Sequence, residues 1–257
     1  MNKIMENGTP ITYQELNTIA VPETTETYQP LPYRDFADKL LIAGENHLQG
    51  FTFENADYGV ARDGQHLFAI HNYKNGESGM RLSVGARNSY NKTLSASVAI
   101  GANVVVCTNL MITGGIHVMR KHTKNIMRDF DGLLDKAMAD SSDNYYAAIA
   151  ARETYSDINL DNNRAYEILG RLYGKKIIGA RQMTKALKEY HSPSHKEHGK
   201  GTAWTLYNAC TEALKTTRLG RYMSNHQLLH QEIEDCIKDD GLYISDKFIM
   251  DAEIADA

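Results

Sequence analysis

The chain has 257 residues, of which 42% are hydrophobic and 23% charged, so it can bury a substantial core as an ordinary soluble globular protein. Its formal net charge of -4 argues against a generally basic nucleic-acid coat, so any phosphate binding has to come from a local patch. The three cysteines are far apart and form no Cys-x-x-Cys arrangement, as is typical of a protein in a reducing cytosol. No segment approaches the roughly 18 apolar residues that a membrane span needs. We therefore expect a cytoplasmic protein without membrane contact.

The first part of the chain is predicted to be an irregular lead-in followed by one helix. Residues 1–32 mix proline, threonine, glutamate and glutamine, so we expect them to be partly loose. In residues 33–46, apolar side chains recur at helical spacing, with Arg34 and Asp35 in the first turn and Gly44 near the end. These residues therefore predict the first helix.

The apolar period then changes to two, which is typical of β-strands. One strand ends at an Asp-Gly turn in residues 62–64, and the next, over residues 67–73, ends at an Asn-Gly turn in residues 74–76. Such turns indicate hairpins, because they need positive φ angles. A third strand follows, so we expect an antiparallel meander inside a central sheet over residues 51–118.

The third strand alternates between apolar residues on one face and charged or small residues on the other. The apolar face consists of Met80, Leu82, Val84 and Ala86. The other face consists of Arg81, Ser83, Gly85 and Arg87. Because arginine grips flat or anionic groups in bidentate fashion, and the residues between the two arginines are small, we expect this second face to be open to a ligand.

A polar loop over residues 88–93 follows this strand, and an apolar run over residues 96–107 comes next. Residues 104–107 are predicted to form a strand. Residues 95–100 leave strand and helix equally open, since periodicity cannot separate the two in a short apolar run. A basic segment at residues 120–124 closes this part of the chain.

Beyond residue 124 the periodicity is helical. Apolar stripes predict helices over residues 126–138, 145–155, 165–173, 182–190, 203–214 and 222–237, with a loop at residues 191–201. Asp161 or Asn162 is expected to cap the third of these helices.

The order of elements predicts an α+β fold, in which an antiparallel β-meander core is preceded by one helix and followed by a helical second half. We expect a lead-in at residues 1–32, an α+β sheet domain at residues 33–124 and a helical region at residues 125–257. The helical region is expected to pack on or beside the sheet as part of one structural unit.

Four segments of the chain carry a resemblance to a known family. They are residues 87–94 (RNSYNKTL), 106–110 (VCTNL), 122–123 (HT) and 202–212 (TAWTLYNACTE). In order and spacing they resemble the signature blocks of a phage- and plasmid-borne family catalogued as domain of unknown function 932, over roughly residues 30 to 215. The resemblance implies a mobile-element origin and a role inside a bacterial host cell. It supplies no catalytic residues, because the family has no assigned activity.

The chain departs from the family pattern in the polar loop. Where the family favours Ser-His-Asp-Lys-Ser, this chain has Ser-Tyr-Asn-Lys-Thr at residues 89–93. The loss of a histidine and an aspartate together weakens any acid–base role for these two positions.

The order of a helix, a three-stranded meander, a lysine-containing loop and an alanine-rich segment also resembles the single-strand annealing proteins of phage and eukaryotic recombination. Those proteins form rings and hold DNA along a basic groove, so this resemblance implies a homo-oligomer that binds single strands. It is a resemblance of fold pattern alone. The apolar run at residues 104–107 departs from it, because a long amphipathic helix is expected there.

The basic and polar residues around the third strand predict a nucleic-acid interface, because cations neutralise phosphates and an aromatic ring such as Tyr90 can stack on a base. The predicted interface comprises Arg81, Arg87, Asn88, Ser89, Tyr90, Lys92, Arg120, Lys121, His122 and Lys124. The alternative is a solvated face with ordinary ion pairs, in which Arg87 would be held by Asp57 or Glu54.

Other candidate sites each have a plainer interpretation. Cys107 with His122 or His117 would suit a nucleophile and its base, but a cysteine at the end of an apolar strand is usually a small buried hydrophobe. A histidine loop would suit a metal, although its spacing matches no recognised ligand set, and no metal is predicted. Its members are His191, His195 and His198. A third set of residues, spaced one helical turn apart, would form either a binding edge or part of the core. It consists of Trp204, Asn208 and Glu212.

Three hypotheses of function remain open. The first is a phage- or plasmid-encoded protein that binds single-stranded DNA or RNA as a recombination or annealing accessory. The second is a non-enzymatic protein that modulates a host defence or replication factor. The third is an enzyme that acts on nucleotides through the loop at residues 87–92. The sequence does not favour the third, because it contains no phosphate loop, dinucleotide fingerprint, metalloprotease helix or nucleophile elbow, and it predicts no cofactor.

Overall fold

The computed structural model describes residues 8–75, 80–104, 110–111, 116–217 and 219–239. Within these ranges the chain forms an antiparallel sheet and then a series of α-helices. The predicted α+β order is confirmed, since one helix precedes the meander and helices follow it. In the same ranges, no helix combines the length and the apolar character needed to cross a bilayer.

Seven strands in the described ranges form one sheet, and their pairings are antiparallel. The strands are β1 (Thr9–Ile11), β2 (Thr52–Ala61), β3 (His66–Lys74), β4 (Met80–Ser89), β5 (Ala96–Val104), β6 (Leu110–Met111) and β7 (Ile116–Arg120). Their order across the sheet follows the chain from β1 to β6, and β7 also pairs with β5. The predicted meander is confirmed, and residues 96–100 are strand. Residues 105–107, predicted as strand, lie outside the described residues.

The turn between β2 and β3 has the backbone that an Asp-Gly hairpin requires. Arg62, Asp63 and Gly64 have φ angles of 54°, 54° and 81°. The amide of Gln65 closes the turn by donating to the Arg62 carbonyl oxygen at 3.0 Å. The second predicted hairpin turn lies partly outside the described residues.

The helices agree with the predicted stripes to within a few residues at each end. They are α1 (Tyr33–His47), α2 (Ile126–Ala139), α3 (Ser141–Asp157), α4 (Asn162–Gly174), α5 (Ala180–His191), α6 (Ala203–Leu214) and α7 (Leu219–Asp239), with short 3-10 helices at Gln14–Thr18 and Lys196–His198. Asp161 is the N-cap of α4, because its carboxylate accepts from the amide of Arg164 at 2.8 Å.

Helices cover the face of the sheet that carries the apolar side chains of β4. Leu82 and Val84 are fully buried there in the main core. α1 packs closely on β3, so that a Cβ added at Gly44 would lie 2.1 Å from Tyr73 Oη. α2 contacts α1, and α3 contacts both β4 and β5. This face is therefore the core face, as predicted.

The second face of β4, predicted to be open, is covered by the start of α7. Tyr222 and Met223 of α7 form an apolar cluster with residues of β3 and β5. Gly85 lies on this face in register with Ile70 and Ala99. A Cβ at Gly85 would lie 3.1 Å from Met223 Cε, so the glycine lets α7 approach the sheet. The expectation of an open face is wrong, because a helix from the far end of the chain occupies it.

The described part of the lead-in, residues 8–32, packs against the rest of the protein. β1 pairs with β2, and Leu16, Tyr28 and Leu31 are buried. The Tyr28 hydroxyl donates to the carbonyl oxygen of Tyr90 at 2.9 Å. These residues differ from the expected loose segment, because contacts with the sheet and with the loop after β4 hold them.

Candidate nucleic-acid interface

The two arginines of β4 do not lie on an open surface. Arg81 forms an ion pair with Glu54 of β2, and only 17% of its side chain is exposed. Arg87 is 9% exposed, and burial lowers the pKa of its guanidinium. Its cross-strand neighbours are Phe68 and Ser97. Glu54, considered as a partner of Arg87, thus belongs to Arg81, and the expected pair of ligand-gripping arginines is corrected.

Asn88 connects three separate segments of the chain. Its Nδ2 donates to the Leu31 carbonyl oxygen at 2.8 Å, and its Oδ1 accepts from the Ser89 amide at 2.8 Å. The same Oδ1 lies 2.6 Å from His122 Nε2. Asn88 is fully buried, so its amide joins the lead-in, the end of β4 and the segment after β7. It is not available to a nucleic acid, contrary to the prediction.

His122 is neutral in this environment. Because Asn88 Oδ1 can only accept, His122 donates its Nε2–H to it. Burial lowers the pKa of His122 to about 4, so the ring carries no charge at pH 7. The predicted role of His122 as part of a basic groove is therefore corrected.

Side chains of the polar loop close the loop on itself. Ser89 is fully buried, and its Oγ donates to the Leu94 carbonyl oxygen at 2.8 Å and accepts from the Leu94 amide at 3.1 Å. Asn91 Oδ1 accepts from the Thr93 amide at 3.2 Å and from Thr93 Oγ1 at 2.6 Å. Between them, Lys92 has a left-handed φ of 64° and an exposed side chain. Ser89 is thus a structural residue that helps to fix the position of Lys92.

Tyr90 packs inward. It is 3% exposed and stacks on Tyr33, with ring centroids 3.8 Å apart and ring planes 5° apart. Its hydroxyl accepts from the Tyr33 amide at 2.9 Å, at the start of α1. Burial raises the pKa of Tyr90 to about 12. Because Tyr33 already occupies its ring face, the expectation that Tyr90 stacks on a base is corrected.

Three residues of the predicted interface remain exposed at one end of the sheet: Lys92, Lys121 and Lys124, here called the end-loop lysines. Ala96, the first residue of β5, pairs with Arg120, the last residue of β7. The loop before β5 and the loop after β7 are therefore neighbours, and they bring the three lysines to the same end.

Tyr28 lies between these two loops. Lys92 Nζ is 4.4 Å from the centroid of the Tyr28 ring, and the centroid of the His122 ring is 6.0 Å from it. Arg120 is less available than the lysines, because it forms an ion pair with Asp129 in the first turn of α2. Within the described ranges, none of the end-loop lysines forms an ion pair with a carboxylate.

The predicted binding edge on α6 is core packing. Trp204 is 4% exposed and stacks on Tyr207, with ring centroids 5.9 Å apart. Asn208 is buried, and its Nδ2 donates to the Trp204 carbonyl oxygen at 2.9 Å. Glu212 is held between Lys185 and Lys215, whose charges keep the pKa of Glu212 below its usual value despite burial. The stripe on α6 therefore faces the protein interior.

The histidine loop is only partly brought together. The rings of His195 and His198 have centroids 5.3 Å apart, whereas His191 Nε2 lies 3.0 Å from the hydroxyl of Tyr166. Burial lowers the pKa of His198 to about 4. Among the residues whose placement is described, no group of three or more metal-ligating side chains occurs. Cys107 and the side chain of His117 lie outside the described residues.

Sequence reasoning missed a cleft in the helical half, here called the α5–α7 cleft. It has a volume of about 920 Å³ and lies between the loop before α5, the turn after α6 and the start of α7. Lys176, Arg181 and Arg221 line it. Lys176 and Arg181 lie five residues apart in the chain, but Arg221 belongs to α7, so only the packing of the helices brings it close to the other two.

One of the comparisons with known proteins gives a match. A family model described as Domain of unknown function (DUF932) matches residues 23–233, which is most of the chain. No curated protein and no solved structure matches it. The matched region contains the described part of the sheet from β2 onward, the polar loop after β4, and α6. The chain therefore belongs to the family of Domain of unknown function (DUF932).

Proposed function

We propose that this protein binds single-stranded nucleic acid through the end-loop lysines. The observation that carries the proposal is the pairing of Ala96 with Arg120, which brings two loops with exposed lysines to one end of the sheet. Lysines with no carboxylate partner in the described part of the chain are free to neutralise phosphates. In a chain with a net charge of -4, such a patch supplies the local positive potential that the whole protein lacks.

The buried residues of the family motif support this proposal indirectly. Asn88 holds the start of the loop that carries Lys92, Ser89 joins that start to Leu94 at the far end, and Tyr28 lies beside the Lys92 ammonium group. A lysine held in one position loses less conformational entropy when it binds a phosphate than a freely rotating one. We infer that the motif serves binding by positioning Lys92, not by contacting the ligand.

A single strand is the ligand favoured by this arrangement. The three lysines lie on two loops, and a flexible single-stranded backbone can place successive phosphates against them. Contacts of this kind carry no base specificity, so binding is expected to be insensitive to sequence. The resemblance to annealing proteins agrees with this ligand but concerns the fold pattern alone.

The test is a fluorescence-anisotropy titration of a labelled single-stranded oligonucleotide with two triple variants. Lys92→Gln/Lys121→Gln/Lys124→Gln removes the end-loop charges, and we expect it to weaken binding at least tenfold. The matched control is Lys136→Gln/Lys188→Gln/Lys200→Gln, which removes three exposed lysines elsewhere and should bind within about twofold of the parent protein. Equal affinity of both variants would reject the proposed site. No binding by the parent protein would reject the function and favour a protein that acts on a host factor.

A further inference from the structure

The charges that line the α5–α7 cleft are all positive. Lys176, Arg181 and Arg221 are exposed and line the cleft, and its described lining contains no aspartate or glutamate. In the described residues none of the three cations has a carboxylate within ion-pair distance. The neighbouring Arg171 and Lys175, by contrast, both pair with Glu232. The cleft is therefore a concave site with uncompensated positive charge.

Hydrogen bonds between the walls hold the cleft in shape. Gln182 Nε2 donates to Thr217 Oγ1 at 2.8 Å and to Thr216 Oγ1 at 3.2 Å, which ties the first turn of α5 to the turn after α6. Asn225 Nδ2 of α7 donates to the Ile177 carbonyl oxygen at 2.9 Å, which ties α7 to the loop before α5. The three cations thus stand on segments fixed to one another, and the cleft does not need to assemble when a ligand arrives.

Lys176 occupies a position that usually favours glycine. It follows the C-terminus of α4 with a φ of 59°, and its amide donates to the Tyr173 carbonyl oxygen at 2.9 Å. A lysine in a left-handed conformation is strained, and strained residues often occur at ligand sites. Here the strained position places an ammonium group on the wall of the cleft.

The cleft also offers surface for an aromatic group. Tyr173, at the end of α4, lines the cleft and is 48% exposed, although it is a large ring. Ile177 and Ile178 contribute apolar lining and are buried against the core. An exposed tyrosine beside apolar side chains can stack on a planar ring, while the three cations meet phosphate groups.

We propose that the α5–α7 cleft binds a nucleotide, with Lys176, Arg181 and Arg221 against its phosphates and Tyr173 against its base. Because the described lining has no carboxylate to hold a divalent cation, the side chains themselves must balance the phosphate charge. This site is separate from the end-loop lysines and does not depend on the function proposed for them.

Calorimetric titration of the full chain with ATP in the presence of EDTA tests this site. ATP is expected to bind, tripolyphosphate to bind more weakly, and adenosine to bind at least tenfold more weakly than ATP. Arg181→Gln/Arg221→Gln and Lys176→Gln should each reduce ATP affinity, the double variant at least tenfold. Arg62→Gln removes an exposed arginine from the hairpin after β2 and should leave ATP affinity unchanged. Circular dichroism melts verify that each variant is folded.

Two further variants separate the parts of the proposal. Tyr173→Leu should weaken ATP several-fold and leave tripolyphosphate unchanged. The triple variant of the end-loop lysines should bind ATP like the parent protein. Absence of ATP binding by the folded parent protein would overturn the site. Equal binding of ATP and tripolyphosphate, unaffected by Tyr173→Leu, would overturn the assignment of a nucleotide. If the end-loop variant lost ATP binding, the location in the cleft would be wrong.

Discussion

At the scale of single residues, burial decides which members of the polar run at residues 88–93 can meet a ligand. Asn88, Ser89 and Tyr90 have the hydrogen-bonding groups expected of a binding loop, but the protein itself uses those groups. Lys92, within the same run, is exposed. These three residues were predicted to contact a nucleic acid, whereas their hydrogen-bond partners in the structure are other parts of the chain.

The Asn88 amide provides a direct test of this structural role. Asn88→Ala would leave the buried Leu31 carbonyl oxygen and the Nε2–H of His122 without their partner. Because unsatisfied buried polar groups are costly, we expect the free energy of unfolding to fall by about 2 kcal/mol or more. Urea denaturation monitored by circular dichroism measures this change.

Asn125→Ala is the matched control for that experiment. Asn125 is exposed, and its side chain makes no capping hydrogen bond to α2. Its replacement is expected to change the free energy of unfolding by less than about 0.5 kcal/mol. Equal effects of the two substitutions would show that Asn88 does not join the segments as described.

At the scale of elements, local patterns predicted the strands and helices well. Period-two alternation predicts the meander, the Asp-Gly turn predicts the hairpin at residues 62–64, and apolar stripes predict the helices of the second half, and the structure contains all three. These signals are local, so they survive without knowledge of the tertiary structure. Element ends differed by a few residues, because caps and neighbouring helices decide them.

The sequence did not predict what packs against each face of a strand. The alternation in β4 separates its two faces correctly, but the polar face is predicted to be open because only small residues lie between its two ligand-gripping arginines. Met223 of α7 covers it near Gly85, and this contact joins residues far apart in the sequence. Tyr90 shows the same limit, since its stacking partner Tyr33 lies on another element. The hydrophobic periodicity of a segment carries no information about contacts with residues far away in the sequence.

Two glycines on helices test the packing of α1 against β3. A Cβ at Gly44 would lie 2.1 Å from Tyr73 Oη, so Gly44→Ala forces α1 or the tyrosine to move. We expect it to lower the free energy of unfolding by about 1–3 kcal/mol, in spite of the higher helix propensity of alanine. Thermal melts compare it with Gly132→Ala on α2, where nothing lies within 4 Å of the added Cβ.

Gly132→Ala is expected to be neutral or to stabilise by up to about 1 kcal/mol, because only the helix propensity changes. If Gly44→Ala also stabilised the protein, α1 would not pack on Tyr73 as the structure has it.

At the scale of the whole molecule, positive charge is concentrated in places that net charge does not reveal. The chain is acidic overall, yet the end-loop lysines and the α5–α7 cleft each gather three cations. The first cluster was partly predicted, because Lys121 and Lys124 are close in sequence and Lys92 belongs to a recognisable motif. The second was not predicted, because Arg221 is remote in sequence from Lys176 and Arg181 and no motif joins the three. Both proposals therefore depend on the tertiary arrangement.

The salt dependence of single-strand binding tests the central claim most directly, because it counts the phosphates that the protein neutralises. For single strands, the logarithm of affinity falls with the logarithm of salt concentration by about 0.7 per phosphate contact. We expect the triple glutamine variant of Lys92, Lys121 and Lys124 to have a slope smaller by about 2 than the parent protein. The control variant of Lys136, Lys188 and Lys200 should keep the parent slope. A parent protein whose affinity does not change with salt, or identical slopes for all three proteins, would contradict the account.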